Sequence, residues 1–585
     1  MEKLIQRFIR PTNLTILLVG LIFFFCIWNL RWFHSTDRMS GVISSDGEGY
    51  YYYMPAIFIK GDLQPEKPDP DFHVKTENGN YVNKYPFGTA LLILPFFFLA
   101  TACSWLFGYP IDGYSAFFQA SVSLAALFYF LAGIALLLKT IRQFIALKPY
   151  QEIFTLCVIA FGTPLSYYVL HYPSLSHVYS FFLINLIIWL FVGWKNENQV
   201  LARTGSFLVL GIAIVTRPTH VLILVFLPFL FSSFSELIAF AKKYKPKGME
   251  IFALLLPVSV QMILWKMQSE NWLMWSYEGE GFYFTQPHII EFLFGFRKGF
   301  FIYAPLFVLF IPALLLGWKE HRYKMWIAAF FILITAYIFS SWYNWFYADL
   351  FAMRPMIDFS GAFILAGLIL LFRNGFHRLR AGFVVVFSII SIAFNLLFSY
   401  QFHHGIIHPN GMNAGKFLSV FLKTGERYHH ALGGSFDLPP YAPKGLDTLA
   451  EWKACFENES NDYRERAKEE FPLGKDIEIN DHWVNAVKLW VQAKFKIEFP
   501  NTEAGKNFVL VIQLINSKKE VKYYFPIPLR EYINEESGKF LDRSICLSIY
   551  NTAEKGDTYS AYIWNRDQEM IVLKDFELYW LSPKK

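Results

Sequence analysis

Ser45-Asp46-Gly47-Glu48-Gly49 stands just past the first apolar run of the chain, and Tyr50, Tyr51, Tyr52 and Tyr53 follow it directly. Two carboxylates at the outer end of a membrane helix are costly to hold unless they are paired or used. Chemistry at a membrane surface, on a substrate delivered by lipid, is one reading of such a place. A polar loop with an interfacial aromatic belt is the plainer alternative.

Further groups with chemical capacity recur at intervals. Asn83-Lys84-Tyr85-Pro86-Phe87-Gly88 opens an apolar run, with Pro86 suited to a first helical turn. A helix N-terminus beside Lys84 would suit an anionic phosphate; plain helix initiation with a snorkelling lysine is the other reading. His171-Tyr-Pro-Ser-Leu-Ser-His177 is a tight polar turn between apolar runs, and Thr216-Arg217-Pro218-Thr219-His220 is another. Arg217 calls for a carboxylate or phosphate partner. In Phe294-Gly295-Phe296-Arg297-Lys298-Gly299, adjacent cations on a glycine-flanked turn make a phosphate clamp. Trp342, Tyr343, Trp345 and Tyr347 precede Arg354 and Asp358. Such aromatics serve as an interfacial belt or as a surface on which a sugar stacks. Arg354 and Asp358, spaced i and i+4, read as a structural ion pair.

The elements that must position these residues are membrane helices. Of 585 residues 54% are hydrophobic and 17% charged, against about a quarter charged in soluble domains. The net charge of +6 is modest and sits largely in short loops, which argues for membrane orientation and against nucleic-acid binding. Lys3, Arg7 and Arg10 precede the first apolar run, 14–32, and no small-residue cleavage site follows. This reads as an uncleaved anchor with a cytoplasmic N-terminus. Further runs at 87–107, 114–138, 154–170, 178–194, 205–215, 221–240, 252–265, 300–318, 326–341, 359–372 and 382–400 bring the hydrophobic segments to about 11–13.

Basic loops around Lys139, Lys195, Lys242, Lys319 and Arg373 all fall on the cytoplasmic face, and the polar turns on the other, with one conflict. If 87–107 crosses fully, the Lys139 loop moves outside. Either that segment stops short of crossing, or the charge rule fails at this loop. Ionisable residues gathered on one face suit a surface enzyme better than a transporter. The midplane charges and inverted repeats of many transporters are not evident in the pattern.

Taken together, these motifs resemble those of the GT-C superfamily of integral membrane glycosyltransferases. The resemblance rests on the Asp46/Glu48 loop after the first span and on Lys84-Tyr85-Pro86-Phe87-Gly88. It rests also on Arg297-Lys298-Gly299 and on the aromatic loop ending at Arg354-Pro355. It covers roughly residues 10–400 and implies a polytopic α-helical membrane protein using a polyprenyl-phosphate-linked sugar donor. The acceptor would be a glycan, lipid or protein hydroxyl on the extracytoplasmic face, in a bacterial inner membrane.

On this resemblance Asp46 is the general base, with its pKa raised by partial burial. Arg297 and Lys298, with Lys84 or Arg217, stabilise the departing phosphate, and Glu48 orients the acceptor or helps to hold Mg or Mn. Tyr50, Tyr85, His171, His177, Trp342, Tyr343, Trp345 and Arg354 line the substrates. Two departures bear on the metal. Gly47 interrupts the acidic pair, and the turn where a second acidic residue is common holds His171 and His177 instead. A transporter or flippase of lipid-linked sugars and a non-catalytic scaffold are the alternative readings.

Residues 401–480 read as a connector rich in Gly, Pro and His near its start. From 481 the hydrophobic period becomes two. Leu489, Val491, Ala493 and Phe495 alternate with Trp490, Gln492 and Lys494, and runs at 508–515, 521–527, 544–550, 559–564 and 576–581 read likewise. An extracytoplasmic β-sandwich of jelly-roll type follows, over 481–585. Its pattern is that of carbohydrate-binding jelly rolls; a structural cap or an acceptor-docking platform is equally open. Cys455 and Cys546 would pair if the domain meets an oxidising compartment.

Overall fold

The computed structural model describes residues 11–32, 41–69, 72–197, 199–277 and 280–425, then chiefly the strands and short connections between 446 and 583. Lys3, Arg7 and Arg10 lie outside the described residues. The chain forms two compact units, Met1–Ser276 with Tyr283–His403, and Tyr277–Phe282 with His404–Lys585.

The first unit is helical. Its main elements begin with α1 (Pro11–Ile27), α2 (Asp46–Tyr51), a hairpin of β1 (His73–Lys75) and β2 (Tyr81–Asn83), α3 (Gly88–Phe107) and α4 (Ala116–Ile141). Then come α5 (Pro149–Gly162), α6 (Leu165–His171), α7 (Ser176–Glu197), α8 (Val200–Thr216), α9 (Phe234–Lys243) and α10 (Gly248–Ser269). The series closes with α11 (Phe310–Glu320), α12 (Arg322–Ser340), α13 (Arg354–Ile357), α14 (Ser360–Phe372) and α15 (Arg378–His403). Among the described residues seven helices are long and apolar enough to cross a bilayer, and two bent pairs bring the number to nine. This is an integral membrane protein.

Contacts define two ends of the unit. At one, Glu152 accepts from Thr12 and Arg142, each at 2.6 Å, Lys139 covers the Trp189 ring, and Lys195 pairs with Glu236 at 2.9 Å. Lys324 lies over Phe144 and donates to the Phe231 carbonyl, while Arg380 pairs with Glu320 at 2.9 Å. These contacts gather the Lys139, Lys195, Lys319 and Arg373 loops at one basic end. At the other end lie two groups described below, Asp46 with Arg354 and Lys84, and Asp358 with His177 and Arg217.

The helix α3 has the length of a span, yet both its ends lie at the Asp46 end. Its first residue, Gly88, packs on Val215 and Thr216, and Phe107 at its last turn stacks on Phe117. Along its course Phe97 meets Tyr51 and Phe118. The following helix α4 starts at the same end, where Gln119 accepts from the Ile43 amide at 2.9 Å, and finishes at Arg142 in the basic end. The helix α3 therefore does not connect the two ends, and the exposed Phe98, Leu99, Trp105 and Leu106 give it an apolar outer face.

Three expected spans are broken. Pro218–Leu230 and α9 meet at 113° in place of one helix over 221–240, because Ser233 caps a new helix by accepting from the Glu236 amide. The helices α5 and α6 meet at 59° across Thr163-Pro164, where proline cannot continue the hydrogen-bond ladder. Over 300–318 a short helix, Phe300–Tyr303, gives way at Ala304 to a 3₁₀ turn, Pro305–Leu309, before α11.

Among the described residues the second unit carries eight strands: β3 (Leu446–Cys455), β4 (Leu473–Glu478), β5 (Lys488–Glu498), β6 (Phe508–Ile515), β7 (Val521–Pro528), β8 (Leu541–Tyr550), β9 (Thr558–Asn565) and β10 (Val572–Pro583). They form two antiparallel sheets ordered β3-β10-β5-β8 and β4-β9-β6-β7. Of the consecutive strands only β6 and β7 share a sheet as neighbours; the wrapped order is that of a jelly roll. Leu489, Val491, Ala493 and Phe495 face the core with Ile545, Leu547, Phe576 and Leu578, as period-two alternation requires. Strands β3 and β4 fall within 401–480, so the sandwich begins before residue 481. Cys546 is a free thiol, and the backbone keeps its strand away from that of Cys455. Their strands are the two edges of one four-stranded sheet, about 14 Å apart at ~4.8 Å per strand, whereas a disulfide needs Cα atoms within about 7 Å.

Candidate active site

The geometry begins with two glycines. In the two-turn helix α2, a Cβ on Gly47 would lie 2.0 Å from the Ser174 hydroxyl oxygen, and one on Gly49 would lie 2.3 Å from the Tyr85 ring. Only glycine lets this helix sit against both the His171–His177 turn and the Lys84–Tyr85 segment. Asn83, fully buried, ties the same segments: its side-chain amide donates to the Gly49 carbonyl at 2.6 Å, and its carbonyl oxygen accepts from the Tyr85 amide at 3.0 Å. The interruption of the acidic pair at Gly47 is thus a packing requirement.

Asp46 and Glu48, two apart on a helix, face different ways. The Asp46 carboxylate is half-buried, 28% exposed, and receives a hydrogen bond from the Arg354 guanidinium at 2.8 Å. Burial draws its pKa up, but Arg354, the Tyr85 hydroxyl and Lys84 outweigh burial and hold it below the ordinary carboxylate value. This corrects the expectation of a raised pKa: a neighbouring guanidinium wins over desolvation. Glu48 lies instead within electrostatic reach of Tyr114. Burial first, then Glu48 and Asp112, push that phenol up to about 12. Tyr50 is buried with its ring 4.5 Å from that of Tyr85. Burial chiefly raises its pKa, with Arg217 opposing and Asp46 assisting.

Asp358 forms a second centre. One carboxylate oxygen accepts from His177 Nδ1 at 2.7 Å. The other faces the Arg217 guanidinium and His220 Nε2, each at 3.2 Å. Asp358, His177 and His220 are almost wholly buried, and Arg217 is 18% exposed. Burial raises the Asp358 pKa, but His177, Arg217 and His220 carry it well below the carboxylate range. The i, i+4 pairing of Arg354 with Asp358 does not form, because α13 ends at Ile357 and the two residues turn to different partners. Arg217 has a carboxylate partner within its own chain.

The loop between α12 and α13 delivers Arg354 and Asp358. Tyr347, Ala348 and Ala352 all have left-handed backbone, φ 54–56°, a conformation that costs non-glycine residues of order 1–3 kcal/mol each and gathers at functional sites. Arg297 lies 3.3 Å from the centroid of Phe346 and 5.7 Å from that of Trp345, and Lys298 beside it is buried. Trp345 also stacks on His288, and Trp342 packs on Tyr343. His171 stacks between Tyr167 and His403. The contacts thus join Asp46, Lys84, Tyr85, Tyr50 and Arg354 in one group and His177 and Arg217 in the Asp358 group. Arg297 with Trp345, Trp342 with Tyr343, and His171 have the separate partners named above.

Helix α3 begins at Gly88 with Phe87 as its cap, so Pro86 stands outside its first turn. The Phe87 amide donates to the Gln261 side chain at 2.8 Å, and Gly88 is covered by α8. That terminus is packed within the protein and is not open to a phosphate. Among the described residues no three His, Cys, Asp or Glu side chains converge as a set for a metal ion. Asp46 and Glu48 face apart, so the residues present do not fit Mg or Mn between them.

No family model matches the chain, and no curated protein matches it. Among solved structures the chain is similar to the arabinosyltransferase EmbB from Mycobacterium smegmatis, with 9% identity and a TM-score of 0.37. The match covers 98% of this chain and 64% of that one, so this chain spans a little under two thirds of that protein's length. A likeness at this distance assigns no activity.

Proposed function

We propose that the protein is a membrane glycosyltransferase that moves a sugar from a polyprenyl-phosphate donor to an acceptor hydroxyl, with inversion, at its Asp46 end. The observation that carries this reading is the partly exposed Asp46 carboxylate held by Arg354, with Lys84 in electrostatic reach. A carboxylate beside cations, at the end of a membrane bundle, suits proton removal close to a lipid phosphate. The five basic loops mark the cytoplasmic face by the positive-inside rule, which sets the Asp46 end outside; a bacterial inner membrane fits this arrangement.

In this reading the donor phosphate competes with Asp46 for Arg354 and Lys84. The displaced carboxylate becomes more basic as its guanidinium partner turns to the phosphate. It then accepts the acceptor hydroxyl proton. The oxygen forms its bond to the anomeric carbon as the bond from that carbon to the phosphate oxygen breaks, and the electron pair leaves with the polyprenyl phosphate. Arg297, stacked on the aromatic loop, and Lys298 lend positive charge to the leaving group, while Trp342, Tyr343 and Trp345 offer faces to the sugar. Arg217, held by Asp358, adds a fixed charge from behind. The jelly roll would dock the acceptor glycan, lipid or protein.

The gathering of these charges at one end, away from mid-bundle, favours an enzyme over a flippase of lipid-linked sugar. The test is reconstitution of the purified full chain with polyprenyl-phosphate-linked pentose or hexose donors and cell-envelope glycan acceptors. Release of polyprenyl phosphate matched by a product of inverted anomeric configuration is expected. Movement of intact donor across the bilayer without its cleavage would show a flippase and sink the proposal.

A further inference from the structure

At the basic end, remote from Asp46, a cavity of about 260 Å³ opens between α5, α11, α14 and α15, beside the Pro305–Leu309 turn. Its lining is nearly all apolar: Phe154, Val158, Phe310, Leu368, Phe372 and Val385 represent it. Along α5 it extends from Tyr150 to Ile159, roughly 13 Å at 1.5 Å per residue. That is about half the ~30 Å hydrocarbon core, the depth of one leaflet. The mouth carries two exposed aromatics, Tyr150 and Phe376, at the level where such rings border a membrane. Two exposed cations adjoin the lining in sequence, Lys148 between Leu147 and Tyr150 and Arg378 at the start of α15, while Arg373 turns to the Ser232 hydroxyl.

We infer that this cavity holds an acyl chain of an anionic phospholipid from the leaflet at the basic end. The apolar slot takes the chain, and Lys148 and Arg378 meet the headgroup phosphate. A zwitterionic lipid would fill the slot without matching the rim, and the depth suits one chain entering from this face. Gly367 lines the slot, and a Cβ there would meet nothing within 4 Å. A side chain at this position therefore fills the cavity without disturbing the helix, and removes a glycine from a helix interior.

The full chain is reconstituted in phosphatidylcholine vesicles containing phosphatidylglycerol with a photoreactive acyl chain, and labelled peptides are mapped. Labelling concentrated on α5, α14 and α15 is expected. It should fall several-fold in Gly367→Phe, and also in Lys148→Gln/Arg378→Gln, with thermal unfolding unchanged; Gly367→Leu serves in the same role if the phenylalanine lowers stability. Photoreactive phosphatidylcholine should label these peptides less and respond little to the charge changes. Labelling spread evenly over all lipid-facing helices, or indifferent to Gly367→Phe and Gly367→Leu, overturns the site. Displacement of the label by polyprenyl phosphate, but not by unlabelled phosphatidylglycerol, overturns the choice of occupant.

Discussion

Asp46 and Asp358 stand at the same end of the helical unit, each against an arginine, yet their surroundings differ. Asp358 has both oxygens engaged, by His177, Arg217 and His220, and is shut away from solvent. Asp46 is more than a quarter exposed and leans on Arg354 from a glycine-packed helix. A buried charge with a full set of partners holds elements together; here it ties α7, the Arg217 turn and the approach to α14. A carboxylate that solvent reaches can exchange its partner for a substrate. The pKa of each lies below the ordinary value, so depression alone does not separate the roles; access does.

The widest separation should come from removing each carboxylate. Asp46→Asn is expected to lower transfer by about two to four orders of magnitude, the range of general-base catalysis, with only a modest fall in Tm, because the asparagine oxygen can still accept from the largely buried Arg354. Asp358→Ala should do the reverse first: it leaves Arg217 without its buried carboxylate and costs on the order of 3–5 kcal/mol, seen as a lower Tm. If Asp358→Ala kept full stability while Asp46→Asn unfolded the protein, the assignment of roles would be inverted. Next in size, Gly47→Ala forces a Cβ onto Ser174 and should cost about 1–3 kcal/mol as overpacking. Ser174→Gly in the same chain should restore much of that loss; failure of the rescue would mean that Gly47 serves something other than this contact.

Why part of this was legible in the sequence and part was not follows from the range of the interactions. The strands β5, β6, β8, β9 and β10 announce themselves by alternation, since each signal lies within one strand. Strand β4, Leu473-Gly-Lys-Asp-Ile-Glu478, offers only two large apolar residues, and β3 alternates weakly through Thr448, Ala450 and Ala454; pairing with β9 and β10 makes them strands. The acidic loop, the Arg297 turn and the aromatic loop were visible as residue types at membrane ends. The Asp358 centre was not, because its partners lie 138 to 181 residues away. The left-handed Tyr347, Ala348 and Ala352 carry none of the Gly or Asn signals that mark such backbone. Gly47 and Gly49 were visible, but their reason is a close approach that only the folded chain supplies.

A finer division uses pH. With Arg354 present, the Asp46 carboxylate stays ionised further into acid than a free aspartate. Transfer that needs the carboxylate then falls only as pH drops through this lowered value. Arg354→Gln removes the largest opposing charge, so the acid limb of the kcat/KM profile should move to higher pH. An unmoved limb in Arg354→Gln would mean that the titrating base is another group.

The smallest effect is expected at Glu48, and it sharpens the comparison most because only two residues separate it from Asp46. Both are acidic, both ride on α2, and sequence alone treats them as one motif. The helix turns them apart: Asp46 towards Arg354, Tyr85 and Lys84, Glu48 towards Tyr114. Glu48→Gln keeps the shape of the side chain and removes a charge that does not face the proposed reacting atoms. Transfer and stability should each change by about 0.5 kcal/mol or less, the scale of a substitution away from any site. The Tyr114 hydroxyl, relieved of a nearby carboxylate, should titrate at lower pH by ultraviolet difference absorption. A loss of transfer as deep as that of Asp46→Asn would mean that the two carboxylates act together, and that α2 rotates in the substrate complex.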